Sequence, residues 1–198
     1  MGEGRAAKHY ADPELIRKVR DGDVSAFEQL FNSYQKRVYN LIYRLVGNEQ
    51  DAADLTQEAF VRIYNARHRL QTEGAFLAWM RTIAVNLCRD HFRKCKRTIK
   101  GDSLDAPIWI EGDELQREVE DWSMNPERTF EKKDLQAAVQ GALDTLSEEH
   151  RAVVVLHHIE GMDVQEIARE LGVPEGTVKS RLARAREELK RKLGHYVS

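Results

Sequence analysis

Apolar residues recur along this chain with the spacing of helices rather than the alternation of strands. Phe27, Leu30, Phe31, Tyr34, Val38, Leu41, Ile42 and Leu45 return every three or four positions. That beat predicts a long helix capped by Asp23, reaching about Val46 and stopped by Gly47. Upstream, Asp12-Pro13 has the form of an N-cap followed by proline at the first helical position, opening a short helix that halts near Gly22. Asn48 is placed to cap a third helix through about Ala66, with Ala52, Thr56, Phe60 and Ile63 on its inner side. After a loop holding Thr72, Glu73 and Gly74, a fourth helix spans about Ala75 to Arg97 and turns Phe76, Met80, Ile83, Ala84 and Leu87 inward.

The periodicity then breaks. Residues 98–128 carry Gly101, Pro107, Gly112 and Pro126 among acids, which marks a linker, and only Ile108-Trp109-Ile110 hints at a strand. From Phe130 the helical beat resumes through Leu135, Val139, Leu143 and Leu146, and Ser147 with Glu148 and Glu149 opens another helix ending at Gly161. Two short patterns follow. Val164, Ile167, Ala168 and Leu171 make the first, ended by Gly172. Pro174 and Gly176 punctuate a turn, with Thr177 as the cap of the last helix, whose Val178, Leu182, Ala185 and Leu189 share a face. The fold expected is all-α: two helical domains, residues 1–97 and 129–198, joined by an acidic linker over 98–128.

A net charge of -2 argues at first against a polyanionic partner, but the charges are segregated. Arg81 to Lys100 holds seven Lys/Arg against one Asp, and Thr177 to Ser198 seven against two Glu. Between them, Gly101 to Asn125 holds eight Asp/Glu against Arg117 alone. Two cationic segments separated by an anionic one suit two separate contacts with a polyanion.

Three helical faces carry candidate chemistry. Opposite the apolar side of the last helix lie Ser180, Arg184 and Glu187, flanked by Lys179, Arg181 and Ala183. A small, basic, hydrogen-bonding front with an apolar back is what entry into a DNA major groove requires. A basic hairpin that simply meets water is the plain alternative. On the third helix, Asp51, Asp54 and Glu58 form an acidic stripe with Leu55, Val61 and Arg62 alongside. Such a stripe repels phosphate and suits a protein partner with basic residues and an apolar pocket, or merely water and the helix dipole. On the fourth helix, Thr82, Asn86, Arg89, Arg93 and Lys96 face outward with Trp79 at the edge. Cations beside an amide and aromatics suit unpaired bases, and a solvated basic face is again the alternative.

Little else in the chain suggests chemistry. The first residues have no apolar core of a signal peptide, and no run approaches a membrane span, so a cytoplasmic protein is expected. Cys88 and Cys95 make no disulfide framework. With His91 they share a helical side, but a fourth metal ligand is not evident, so no metal and no cofactor are expected. His157-His158 beside an apolar run reads as packing and surface. No metalloprotease, phosphate-loop, nucleophile-elbow or dinucleotide motif occurs, so no enzymatic activity is expected.

Four stretches in order resemble the extracytoplasmic-function, group IV sigma factors of bacterial RNA polymerase. DAADLTQEAFVRIY (Asp51 to Tyr64) is similar to region 2.2, and FLAWMRTIAVNLCRDHFRK (Phe76 to Lys94) to regions 2.3 and 2.4. LSEEHRAVVVLHHIEGMDVQEIARELG (Leu146 to Gly172) is similar to the body of region 4, and VPEGTVKSRLARAREELK (Val173 to Lys190) to its recognition helix. The resemblance implies a specificity subunit that binds core polymerase through the β′ clamp helices and β flap. Asp51, Asp54, Leu55, Gln57 and Glu58 would hold the clamp. Gly74, Phe76, Trp79, Asn86, Arg89 and Arg93 would open the -10 element and hold a flipped base. Lys179, Ser180, Arg181 and Arg184 would read the -35 element, with Thr177 and Arg186 on phosphates. It also implies an anti-sigma factor as a partner and a monomer when free. Ala53 and Ala183 depart from residues frequent in the family, at the clamp contact and in the -35 reader. A stand-alone helix-turn-helix regulator with an N-terminal sensing or dimerising domain is the alternative reading.

Overall fold

The computed structural model describes residues 12–70, 73–99 and 136–193. Among them every regular element is helical. α1 (Pro13–Arg20), α2 (Val24–Val46), α3 (Glu49–Asn65), a 3-10 turn at Arg67–Arg69 and α4 (Glu73–Ile99) form the first half. α5 (residues 136–144), α6 (Glu148–Val154), α7 (Val164–Leu171) and α8 (Glu175–Leu193) form the second. The expected linker, beyond the last residues of α4, lies outside the described residues, as do Ile108-Trp109-Ile110 and the stretch from Phe130 to Leu135.

Helix starts follow local hydrogen-bond chemistry. The side chains of Asp12, Asp23 and Asn48 accept from the main-chain N–H of Glu14, Ala26 and Asp51 at 3.0, 3.0 and 2.9 Å. Each satisfies an N–H that has no partner within its helix. Asp163 and Glu166 cap each other's main chain reciprocally at the start of α7. Gly47 and Gly172 end α2 and α7 in the left-handed region, at φ 78° and 65°, where a Cβ is strained.

In the first half α2, α3 and α4 pack on one another, with α1 laid against α2. Aromatic edges knit the centre: Phe31 meets Phe60 with ring centroids 4.7 Å apart, Phe27 meets Tyr64 at 4.9 Å, and Tyr34 meets Phe76 at 5.3 Å. In the second half α6 and α7 both pack on α8, burying Ile167, Val178, Leu182 and Ala185.

Three expectations need correction. The last helix begins at Glu175, directly after Pro174, and Thr177 is not its cap. The Thr177 N–H donates to Pro174 O at 2.9 Å, so Thr177 already sits in the first turn. Leu55 is 8% exposed and belongs to the core rather than the acidic stripe. At about 100° per residue it lies roughly 40° from Asp51, on the side of Ala52 and Ala59, so the outward side centres between Asp54 and Val61 instead. The helix opened by Ser147 does not run evenly to Gly161. It widens into a π-helical turn over Val155–Ile159, where Glu160 N–H reaches back to Val155 O at 3.0 Å.

The two halves share one continuous apolar core, and α2 touches both α6 and the π-helical turn. Arg151 on α6, 8% exposed, donates to Leu45 O at 3.1 Å and pairs with Asp144 at 3.2 Å. Gly47 stands against this pair so closely that a Cβ there would collide with the Asp144 carboxylate.

Candidate nucleic-acid interface

α8 sorts its side chains by helical period. Val178, Leu182 and Ala185 are buried, while Lys179, Ser180, Ala183, Arg184, Arg186 and Glu187 are exposed on the other sides. Ser180 Oγ donates back to Thr177 O at 3.0 Å and Lys179 lies 3.9 Å from Glu175. Arg181 is half-buried and turned toward Glu149 of α6, so it braces α8 against its own domain. Arg184 and Arg186 remain forward as exposed cations.

On α4 the structure separates the named residues by depth. Phe76 is fully buried against Tyr34, so its ring is core and fixes the start of the helix. Trp79 is half-buried at the edge of that core, Asn86 and Arg93 are exposed, and Arg89 is half-buried. Gly74 lies in the first turn of α4. The flank of this face is not open: Thr82 Oγ1 donates to Glu170 Oε2 at 2.9 Å and Lys96 Nζ meets Glu148 Oε2 at 2.8 Å. The Glu148 carboxylate holds the Lys96 ammonium above its ordinary pKa, first through that hydrogen bond and then through its charge. Neither glutamate could be paired with these residues from sequence spacing, because the partners lie 88 and 52 positions apart.

On α3, Asp54, Gln57 and Glu58 are exposed and Asp51 is half-exposed. Of the two apolar residues expected beside them, Val61 stands out at 57% exposed and Leu55 is buried. Glu58 pairs with Arg62 one turn on, and Gln50 donates to Asp54 at 3.3 Å.

The two cysteines of α4 differ in burial. Burial pushes the Cys88 thiol up to about 12, and Cys95 is exposed with its sulfur 3.7 Å from His91 Nε2. Among the described residues no three His, Cys, Asp or Glu side chains gather in a metal-binding arrangement. His157 serves packing: its Nδ1 donates to Met162 O at 2.8 Å, closing the turn before α7. Desolvation, then the neighbouring His157 and Arg186 charges, lower the pKa of His158. Among the described residues no helix is long and apolar enough to cross a membrane.

Comparison with known proteins agrees with this fold. Residues 30–98 match the family Sigma-70 region 2, and residues 136–189 match Sigma-70, region 4. The RNA polymerase sigma-H factor of Pseudomonas aeruginosa is 33% identical over 92% of this chain and 93% of its own. The ECF RNA polymerase sigma factor SigW of Bacillus subtilis is 34% identical over 90% and 94%, and the ECF RNA polymerase sigma-E factor of Escherichia coli 32% over 94% and 96%. The fold recurs in CnrH, solved with the cytosolic domain of CnrY, at a TM-score of 0.59 and 24% identity over 92% of this chain and 96% of that one. It recurs also in the sigma factor RpoE of Bartonella quintana, solved with the anti-sigma factor NepR, at 0.61 and 22% over 86% and 98%. Two region-2 and region-4 helical domains define a sigma factor. This chain belongs to the extracytoplasmic-function sigma factors of the sigma-70 family, which direct RNA polymerase to promoters.

Proposed function

We propose that this protein is a dissociable specificity subunit without catalysis of its own, working in the cytoplasm on core RNA polymerase. The observation that carries the reading is the pairing of a basic, small-residue front on α8 with a separate cation- and amide-bearing face on α4. Arg184, Lys179 and Ser180 face the major groove of the -35 element, where an arginine pairs well with guanine edges. Arg186 and Thr177 lie near phosphates. Asn86, Arg93, Arg89 and Trp79 take the -10 strand, with Gly74 and Phe76 shaping the entry to that face. Melting comes from capture of an unstacked base, whose unpairing costs a few kcal/mol and is offset by the pocket's contacts.

The acidic α3 face meets the polymerase β′ clamp helices through Asp51, Asp54, Gln57 and Glu58. Val61 enters the apolar pocket there, with Leu55 supporting from behind. Region 4 rests on the β flap. An anti-sigma factor is a fitting third partner, since one solved chain of this fold is held by an anti-sigma factor and another by the cytosolic domain of CnrY. A gel shift with and without core polymerase tests the reading. Binding to promoter duplex only when core enzyme is present supports it. Tight binding of the free chain to palindromic half-sites points instead to a stand-alone regulator.

A further inference from the structure

α4 and the second domain flank a cleft of ≈ 230 Å³. Val85 and Phe92 of α4 line it from one side, and Ala152, Leu171 and Val173 from the other. Arg89, Arg93, Lys96 and Arg181 also reach it. Three of these cations have carboxylates of their own. Arg93 lies 3.6 Å from Asp90, Lys96 2.8 Å from Glu148, and Arg181 pairs with Glu149. Arg89 has none: its half-buried guanidinium has no acceptor among the described residues. A cation drawn partly out of water between apolar walls, with its N–H groups unpaired, carries a cost that an incoming anion relieves.

We propose that this cleft binds a small amphipathic carboxylate, with its head on Arg89 and its body against Val85, Phe92, Leu171 and Val173. Apolar walls with one well-placed polar group are the usual make-up of a small-molecule site. The planar guanidinium fork matches a carboxylate in a two-pronged pair. One unpaired cation calls for one negative charge, and the neighbouring Glu148 and Glu149 carboxylates repel a more highly charged head. At the packing density of protein interiors, ≈ 230 Å³ holds about ten non-hydrogen atoms, head and body together. Because α4 and the second domain both line the cleft, the bound acid stabilises their contact. It also takes Arg89 from the -10 strand, a consequence that rests on the assignment of Arg89 to that strand.

The test titrates the full chain with octanoate and with hydrocinnamate, acids of about ten non-hydrogen atoms with a flexible and an aromatic body. Calorimetry gives the affinity and amide chemical shifts locate the site. At least one acid should bind with a dissociation constant of about a millimolar or tighter, shifting amides around Val85, Phe92 and Val173. Octanamide, of the same size without the charge, should bind about tenfold more weakly than octanoate. Arg89→Gln should weaken the acid by a similar factor, whereas Arg17→Gln, which removes a cation from α1, should not. Ala152→Met fills the cleft without touching its charges and should also abolish binding. No saturable binding of either acid overturns the site. Binding that survives both Arg89→Gln and Ala152→Met, or shifts elsewhere on the surface, overturns it equally. Anisotropy of a single-stranded -10 oligonucleotide separates the underlying assignment. Octanoate should displace the strand; if it binds the cleft and leaves the strand in place, the ligand site stands and Arg89 leaves the -10 face.

Discussion

Arg151 Nη1 donates to the main-chain oxygen of Leu45 at 3.1 Å, so a side chain of α6 completes the last turn of a helix 106 positions earlier. The final carbonyls of any helix lack partners within it, and Leu45 is next to last in α2. The same guanidinium donates to Asp144 O at 3.2 Å and to Leu146 O at 3.4 Å. Burial lowers its pKa, and the Asp144 and Glu148 carboxylates oppose that shift. Removing the group as Arg151→Ala leaves buried carbonyls without a donor and should destabilise the protein by about 2–3 kcal/mol. Urea unfolding measures this, and a loss near zero would mean that the interdomain bond is absent in solution.

Gly47 tests the same junction from the other side. Its φ of 78° disfavours any Cβ, and a Cβ would also meet the Asp144 carboxylate. Gly47→Ala should cost about 1–2 kcal/mol from the backbone alone, and more if Asp144 cannot move. Thermal unfolding followed by circular dichroism gives the figure. A neutral substitution would show that α2 ends otherwise.

The acid stripe of α3 should govern assembly rather than folding. Asp54→Arg with Glu58→Arg places like charges near Arg62 and inverts the exposed face, yet buries nothing new. Helical content should persist while co-purification with core polymerase is lost. Retained co-purification would remove the stripe from the clamp contact.

Reading of the -35 element should depend on Arg184, an exposed cation at the front of α8. Arg184→Ala should cost roughly 1–3 kcal/mol at a single base pair and relax selectivity there. Arg181→Ala should instead lower the stability of the domain, because that side chain braces Glu149. Competition binding against single-base variants of the promoter distinguishes the two, and an unchanged profile for Arg184→Ala would displace it from the reading face.

Thiol chemistry checks the core of α4. Cys88 is buried, with its thiol pushed up to about 12, whereas Cys95 is exposed. A disulfide reagent at pH 8 should therefore titrate one thiol in the native protein and two in denaturant. Two fast thiols in the native state would place Cys88 at the surface.

Much of this was legible from local chemistry. Asp12, Asp23, Asn48 and Ser147 cap the helices they precede, because a short polar side chain before a periodic apolar run has a nearby N–H to satisfy. Gly47 and Gly172 end helices because only glycine enters the left-handed region without strain. The buried and exposed sides of α8 followed from its period. What escaped was set by neighbours distant in sequence or by small rotations. Thr177 has the chemistry of a cap, yet Pro174 already starts the helix. Leu55 lies near the boundary between faces, where a rotation of a few tens of degrees decides burial. The π-helical turn at Val155–Ile159 leaves no mark in composition. Glu148 and Glu170 look like surface acids until the second domain is laid against α4.

Start-site mapping with sigma-free core polymerase on fragments of the source genome tests the central claim most directly. This protein should yield discrete transcripts whose starts share common upstream -35 and -10 sequences, and the Asp54→Arg, Glu58→Arg chain should yield none. Scattered starts identical with and without the protein would contradict the account.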